Sequence, residues 1–447
     1  MKVQRITLEQ MLAARDRRAA IQNMMLDREG GTCLVCLTLN IAGDIKRTPM
    51  TAMLFRSGLE MLDSLGFTAA GSRIIDEPTG SEAFRLIRED AEQVKQKLEA
   101  VEESFPAARL FDFDVLMKDS SSGIRKLSRK VSRKCLVCGG PVSECARSRR
   151  HGLDAVRSVT EDLLKDFCAD ALADAAYNAL LDELYTTPKP GLVDLASCGA
   201  HTDMDVTLFE KSAESLKPYF RDAARMGMND CSMKELRMRG VSAEKEMFEA
   251  TGGVNTHKGA VYSMGLLLAG MGRTLTDTAH DEAAFDMAVR YASELALQDA
   301  GELLVRSQTE PKTNGGQALR DFGARGATGE AADGFPDAVS CAARLRYYMN
   351  ESCEWLKAGS LAFCDCMAEL EDTNLLHRGG RNGLDFARKE ASRIAAIRDF
   401  EKRIYELAVL DTEMISRNLS PGGSADMLAL AYLLERWRMM NEYPASE

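Results

Sequence analysis

From about Val156 almost to the C-terminus, apolar residues recur at helical spacing, as in Leu163-Phe167-Ala171 and Met427-Leu430-Leu433-Leu434, and Gly-rich loops are what interrupt them. Strand signals are almost absent there. A stretch of that length with one period folds as helices packed on helices. The residues before it read differently. Thr32-Cys33-Leu34-Val35-Cys36-Leu37-Thr38-Leu39 is β-rich and as short as a buried strand, and the turn signal Ala42-Gly43-Asp44 follows. A second strand, over 109–117, puts Phe111, Phe113, Val115 and Met117 on one face and Asp112 and Asp114 on the other. Between them, Phe84, Ile87, Ala91, Val94 and Leu98 recur among charges and predict one surface helix from Glu82 to Glu103. The expected architecture is an α+β domain over 1–155 followed by a large all-α domain over 156–447, with the boundary near 152–158.

Charge divides the chain at the same place. Residues 1–155 hold 25 Lys and Arg against 21 Asp and Glu, whereas residues 156–447 hold 32 against 47. Two modules with different partners fit that change of sign. The net charge of −11 disfavours a non-specific nucleic-acid binder, and 45% hydrophobic with 28% charged residues excludes a disordered or fibrous chain. No run of about 18 uncharged apolar residues appears, so no membrane span is expected. The N-terminus lacks a signal-peptide core. Twelve cysteines without a secretion signal read as reduced thiols in a cytoplasmic protein.

Three features of the first domain carry chemistry. Asp112-x-Asp114 on a strand places two carboxylates on one side, about 7 Å apart along the chain, where they can share one or two Mg²⁺ ions and clamp a triphosphate. A solvated acidic edge reads equally well from spacing. Cys135-x-x-Cys138, Cys145 and His151 can close a tetrahedral zinc site around the turn Gly139-Gly140-Pro141; buried free thiols beside a surface His are the alternative. A basic run follows Asp119: Arg125, Lys126, Arg129, Lys130, Arg133, Lys134, Arg147, Arg149 and Arg150, opposed by Glu144 alone. It suits a phosphate-rich substrate or an acidic protein partner, and has too few aromatics for a single-strand nucleic-acid platform. Cys33-x-x-Cys36 lies inside a strand and reads as core.

In the second domain, polar residues gather in loops that a helical scaffold does not need. Thr187-Pro188-Lys189-Pro190-Gly191-Leu192-Val193-Asp194 ends a helix, Gly199 to Asp205 follows with His201 and Asp203, and Thr251 to Gly259 opens an apolar helix with Asn255, His257 and Lys258. Gly323-Ala324-Arg325-Gly326, Asp372-Thr373-Asn374 through Gly380, and Ser420 to Asp426 have the same character. Any one of these is an ordinary helix cap; together they predict a nucleotide site built on helix ends. No Gly-Lys-Ser/Thr occurs, so it is not a Walker A loop.

These loops carry a resemblance. Residues 160–440 resemble triphosphoribosyl-dephospho-CoA synthase through Thr187–Asp194, Gly199–Asp205, Thr251–Gly259, Gly323–Gly326, His377–Gly380 and Ser420–Asp426. Residues 1–155 resemble the citrate lyase holo-acyl-carrier-protein synthase, a nucleotidyltransferase. That match runs through Gly43-Asp44-Ile45-Lys46, Thr79-Gly80, Arg109 to Val115, Ser128-Arg129 and the Cys135 to His151 cluster. The family turn Gly-Pro-x-Lys reads Gly43-Asp44-Ile45-Lys46 here, with Lys46 kept. Both on one chain resembles the bifunctional form of that pathway, with a nucleotidyltransferase-like fold in the first domain.

The resemblance implies two steps. In the helical domain the ribose 2′-OH of 3′-dephospho-CoA attacks C1′ of the ATP ribose and expels adenine through an oxocarbenium-like state. A carboxylate among Asp194, Asp203 and Asp205 is the expected base or Mg²⁺ ligand, and His201 or His257 the acid or donor. Lys258 and Arg325 hold phosphates, and Lys189, Asn255, Asp372, Asn374 and Asp426 complete nucleotide binding. In the first domain, a serine of apo citrate lyase acyl carrier protein attacks the α-phosphate of that product and releases pyrophosphate, using Asp112 and Asp114 with Lys46 and Arg109 as phosphate contacts. Two other readings stand beside this one: the same chemistry serving a malonate decarboxylase carrier, and a non-catalytic helical nucleotide-binding regulator.

Overall fold

The computed structural model describes residues 3–27, 31–119, 123–129, 131–277, 283–309, 314–351 and 353–442, without the side chains of 307, 308, 314 and 315. Lys130 of the basic run lies outside them. The chain divides between Cys168 and Ala169 into a first unit and a second that takes in Ala169–Thr274 and the helices from Ala284 to Asn441. Among the described residues no helix is long and apolar enough to cross a membrane.

The first unit is a five-stranded antiparallel sheet in the order β2-β3-β1-β4-β5, with β1 Cys33–Leu39, β2 Ala69–Glu77, β3 Gly80–Ile87, β4 Phe111–Asp119 and β5 Gly123–Lys126. Its helices are α1 Leu8–Leu26, α2 Pro49–Ser64, α3 Ala91–Val101 and α4 Val142–Ser148. β1 is central and buried on both faces, which is why it lacks alternation. Its register sets Cys36 opposite Phe84 and Asp114, and Thr38 opposite Asp112. On that face Ile21, Met25 and Leu26 of α1 pack with Leu34, Cys36, Phe84, Leu86 and Leu116. Phe111, Phe113 and Val115 line the other face. Cys33 and Cys36 are core, as expected.

Two element assignments change. Glu82–Glu103 is not one helix: Phe84 and Ile87 belong to β3, and α3 begins only after Asp90, whose side chain caps it at Gln93 N–H, 3.1 Å away. A strand buried on both faces shows no period of two, and here its apolar residues fell by coincidence on helical spacing. The hairpin turn at Gly80, with φ at +114°, was the overlooked signal. The strand expected over 109–117 runs instead over Phe111–Asp119, so Arg109 sits in the 3₁₀ turn Pro106–Leu110.

Helix α5, Leu153–Tyr185, opens the helical part of the chain, and every regular element described after it is a helix. α6 Val206–Met228, α7 Met233–Ala250 and α8 Lys258–Thr276 follow. α8 is buried along Met264, Leu266, Leu267, Leu268 and Met271, and a helix enclosed on several sides is apolar over more than one stripe. The final helix, Gly422–Asn441, is buried through Leu428–Leu434, and Thr186 and Tyr432 share a buried hydroxyl hydrogen bond of 2.7 Å. These helices are the frame whose ends carry the site.

Candidate active sites

The second unit encloses a cavity of about 940 Å³, and most of the loops singled out in the sequence converge on it. His201, Asp203, Asn255, His257, Lys258, Arg325, Asp372, Asn374 and Asp426 all line it. Lys258 lies 3.1 Å from Glu244, and Arg325 is paired with Asp333. Three expected residues do not line it. Asp194 is buried, and accepts backbone N–H bonds from Lys189, Ala196 and Ser197 at 2.8–3.1 Å, holding its own loop together. Asp205 caps α6 by accepting from Leu208 N–H at 2.8 Å. Lys189 is buried against Glu183, itself a cavity residue.

Glycines leave room for the polar groups. A Cβ at Gly259 would strike the Asp426 carboxylate, one at Gly422 would strike the Asn374 amide, and one at Gly423 would come within 3.0 Å of the Asp372 carboxyl carbon. The Gly-rich loops are thus close approaches of backbone to functional side chains. Asp372 caps the helix Thr373–Ala395 through Asn374 and Leu375 N–H, and its other oxygen accepts from Ser424 N–H at 2.8 Å and Ser424 Oγ at 3.0 Å. It ties two of the loops to each other.

Two groups are left unmatched. His257 is buried with Nδ1 2.7 Å from Ser212 Oγ, which also lies 2.6 Å from Thr256 Oγ1, while Nε2 has no partner. Phe209 packs edge-on against the ring at 4.9 Å. Burial, and then the nearby Lys189 charge, push the imidazole pKa down to about 3, so the ring is neutral. Asp426 has no hydrogen-bond partner among the described residues. Burial, followed by the Glu183 and Asp372 charges, raises its pKa to about 8, so it carries its proton at neutral pH. His201 is held differently: Nε2 lies 2.9 Å from Ser420 Oγ, Nδ1 3.2 Å from Arg378 Nη2, and burial lowers its pKa. Arg378 and Ser420 lie in loops that the sequence singled out but were given no role of their own, and Glu183 and Ser212 lie outside those loops. Of the latter two, Glu183 left a trace, as a carboxylate on a helix stripe otherwise made of Ala176, Leu180 and Leu184.

In the first unit, Asp112 and Asp114 share the α1-side face of β4, in register with Thr38 and Cys36. Arg133 Nη2 lies 3.4 Å from Asp112 Oδ1, and Lys126 pairs with Asp114. Two hard carboxylates on one strand face suit Mg²⁺. Lys46 lies elsewhere, in a cavity of about 480 Å³ that also contains Asp44, clamped between Arg5 at 2.9 Å and Arg157 at 2.5 Å. Asp112, Asp114 and Arg109 do not line that cavity. Arg109 Nη2 instead donates to Lys134 O at 2.5 Å. The basic run is partly spent as well: Arg129 and Arg133 both bind the buried Glu102, at 2.8 and 2.6 Å, whereas Lys134, Arg147, Arg149 and Arg150 are exposed.

The four residues of the cysteine cluster come together. One ligand atom each from Cys135, Cys138, Cys145 and His151 lie within 4.8 Å of one another, and Cys138 Sγ is 3.5 Å from Cys145 Sγ. His151 Nε2 has no partner. Three thiols and an orphaned imidazole at that separation fit a tetrahedral N/S site.

Comparison with known proteins gives two adjoining matches. Residues 6–167 match the family model of apo-citrate lyase phosphoribosyl-dephospho-CoA transferase, and residues 169–444 that of ATP:dephospho-CoA triphosphoribosyl transferase. Protein CitXG of Haemophilus influenzae is 35% identical over 97% of both chains, and Protein CitXG of Leuconostoc mesenteroides 29% identical over 97% of both. The 2-(5''-triphosphoribosyl)-3'-dephosphocoenzyme-A synthase of Haemophilus ducreyi is 34% identical over 66% of this chain and 97% of its own.

Proposed function

The chain belongs to the ATP:dephospho-CoA triphosphoribosyl transferase family, with an apo-citrate lyase phosphoribosyl-dephospho-CoA transferase domain ahead of it, and from that premise we infer how its residues carry both steps. It is a bifunctional transferase of citrate lyase prosthetic-group synthesis. One activity joins ATP and 3′-dephospho-CoA with release of adenine; the other passes the phosphoribosyl-dephospho-CoA group to a serine of the apo acyl carrier protein with release of pyrophosphate. We place the reactions in the cytoplasm.

The observation that carries the first step is that one cavity is lined by both the Asp426 carboxyl, whose pKa burial raises to about 8, and the His257 ring, whose Nε2 has no partner. Asp426 donates its proton to the departing adenine as the C1′–N bond breaks. The 2′-oxygen bonds to C1′, and its proton passes to His257 Nε2. A weak base suffices, because an oxygen already bonded to an oxocarbenium-like carbon is far more acidic than an alcohol. Lys258 and Arg325 bind the triphosphate, which competes with Glu244 and Asp333 for them. Asn255, Asp372 and Asn374 orient the nucleotide, and Arg378 with His201 and Asp203 borders the same space.

For the second step we read the antiparallel sheet with its paired carboxylates as nucleotidyltransferase-like. Asp112 and Asp114 would hold Mg²⁺, releasing Lys126 to the phosphates, while Arg133 stays beside Asp112 on Glu102 and Phe111 O. When bound, the ion supplies charge neutralisation of the departing pyrophosphate. Lys46 and Arg109 stand apart from this pair, Lys46 in the separate cavity beside Asp44 and Arg109 bound to Lys134 O, and the exposed Lys134, Arg147, Arg149 and Arg150 face an acidic carrier. A structural zinc ion at Cys135, Cys138, Cys145 and His151 completes the domain. Fusing both activities raises the effective concentration of the intermediate at the second site.

Separation of function tests the assignment. Asp112→Asn should still release adenine but leave carrier protein in its apo form. His257→Gln should do the reverse when supplied with ready-made intermediate. Loss of both activities in either properly folded variant would overturn it.

A further inference from the structure

We infer that the zinc-closed knuckle of residues 135–151 is a positioning device for the transfer site, which with metal bound holds Arg133 against the Asp112 carboxylate. The inference rests on the zinc reading given above. The knuckle has little else to keep it folded. Its regular structure is the seven-residue α4, and within α4 only Cys145 is buried. A segment that small does not sustain its own shape by apolar burial, and a metal supplies the missing stabilisation.

Its backbone is closed around the ligands. Cys135 N–H donates to Gly140 O at 2.6 Å and Gly139 N–H to Cys135 O at 2.9 Å, with Gly139 at φ +71°. Val142 N–H then donates to Arg133 O at 3.1 Å, so the residues just before the first cysteine are fixed to the start of α4. At the other end Arg149, at φ 47°, stops α4, Arg150 N–H bonds Cys145 O at 3.1 Å, and His151 returns to the thiols.

Just before that closed loop, the Arg133 side chain reaches one of the two carboxylates, Asp112. Arg133 Nη2 lies 2.6 Å from Glu102 Oε1, 3.0 Å from Phe111 O and 3.4 Å from Asp112 Oδ1. Arg109, in the turn before β4, fastens the same loop by donating to Lys134 O. Metal at the thiols therefore fixes Arg133 through two residues of chain, and Arg133 fixes Asp112 at the start of β4. Opening the knuckle loosens the backbone that carries Arg133, whose side chain keeps Glu102 and Phe111 O as anchors, and so weakens its 3.4 Å contact with Asp112; none of these residues lines the helical unit's cavity.

The test uses the full chain. Zinc is counted by elemental mass spectrometry, and cobalt substitution reports thiolate ligation by its absorption. About one zinc per chain is expected. Cys145→Ser should lose the metal, and transfer kcat should fall roughly tenfold to a hundredfold while adenine release is unchanged. Arg133→Gln should keep the metal and lower transfer kcat similarly, with the KM for carrier protein unmoved; Arg133→Lys should recover part of the rate. Stripping zinc from the wild-type chain with a chelator and restoring it should lower and recover transfer, which covers a variant that fails to fold. Zinc-free protein that transfers at the wild-type rate, or a metal-loaded Arg133→Gln chain that does so, overturns the positioning role. A wild-type chain holding neither zinc nor thiolate-bound cobalt overturns the zinc reading beneath it.

Discussion

Ser212 Oγ lies 2.7 Å from His257 Nδ1, and with Phe209 of the same helix edge-on to the ring it sets the imidazole, whose unpartnered Nε2 belongs to a residue that lines the cavity. Replacing the ring with an amide, His257→Gln, should lower adenine release by roughly 10²- to 10⁴-fold, measured by steady-state chromatography. Ser212→Ala should keep part of the rate but destabilise the helical unit by about 1–3 kcal/mol, because Nδ1 loses its buried partner. Equal activity in Ser212→Ala and the wild-type chain would show that the ring needs no such anchor.

Asp426 and His257 impose opposite pH dependences. The Asp426 pKa rises from 3.8 to about 8 on folding, so its contribution is complete below about pH 4 and is lost as pH rises through 8. Asp426→Asn should therefore gain stability relative to wild type between those limits, by at most about 1.4 kcal/mol per pH unit, in denaturant unfolding. The His257 pKa falls from 6.5 to about 3, so its contribution is present above pH 6.5 and is lost as pH drops toward 3. His257→Gln should close the gap to wild type on acidification. A difference that does not change with pH in either variant would contradict the assigned protonation states.

Gly259 sits where a Cβ would strike the Asp426 carboxylate. Gly259→Ala should leave the helix intact, since its φ is not in the left-handed region, and cost adenine release about tenfold or more by displacing the acid. Circular dichroism matching wild type with full activity would show that the carboxylate tolerates the shift.

Glu102 organises the first unit by accepting from Phe113 N–H at 2.9 Å as well as from Arg129 and Arg133. Glu102→Ala strands a buried N–H and takes the shared carboxylate from two guanidinium groups that keep Glu103, Phe111 O and Asp112 as partners, and should cost that unit about 3 kcal/mol in unfolding experiments. A loss below about 1 kcal/mol would mean that solvent replaces the carboxylate at little expense.

The helical second part was legible because a 3.6 period over so long a stretch has no competing explanation, and its loops stood out as polar residues flanked by Gly. The same loops delivered most of the cavity. Asp194 and Asp205 misled because a carboxylate that caps a helix or braces a turn has the same sequence neighbourhood as one that faces a substrate. Ser212 gave no signal at all: a small hydroxyl on an amphipathic helix is indistinguishable from any other. In the first unit, Phe84 and Ile87 of β3 were read as helical because burial on both faces erases alternation. Arg133 looked like one charge of a solvated run, since its link to Glu102 and Asp112 spans 31 and 21 residues and exists only after the chain folds.

Above all, this chain forms a glycosidic bond at the expense of adenine and then transfers the product. The most direct test incubates purified protein with ATP, Mg²⁺ and 3′-dephospho-CoA and resolves the products by mass. Adenine and a triphosphoribosyl-dephospho-CoA adduct should appear in equal amounts, and apo carrier protein should then consume the adduct and release pyrophosphate. ADP or AMP in place of adenine, or no product, would contradict the account.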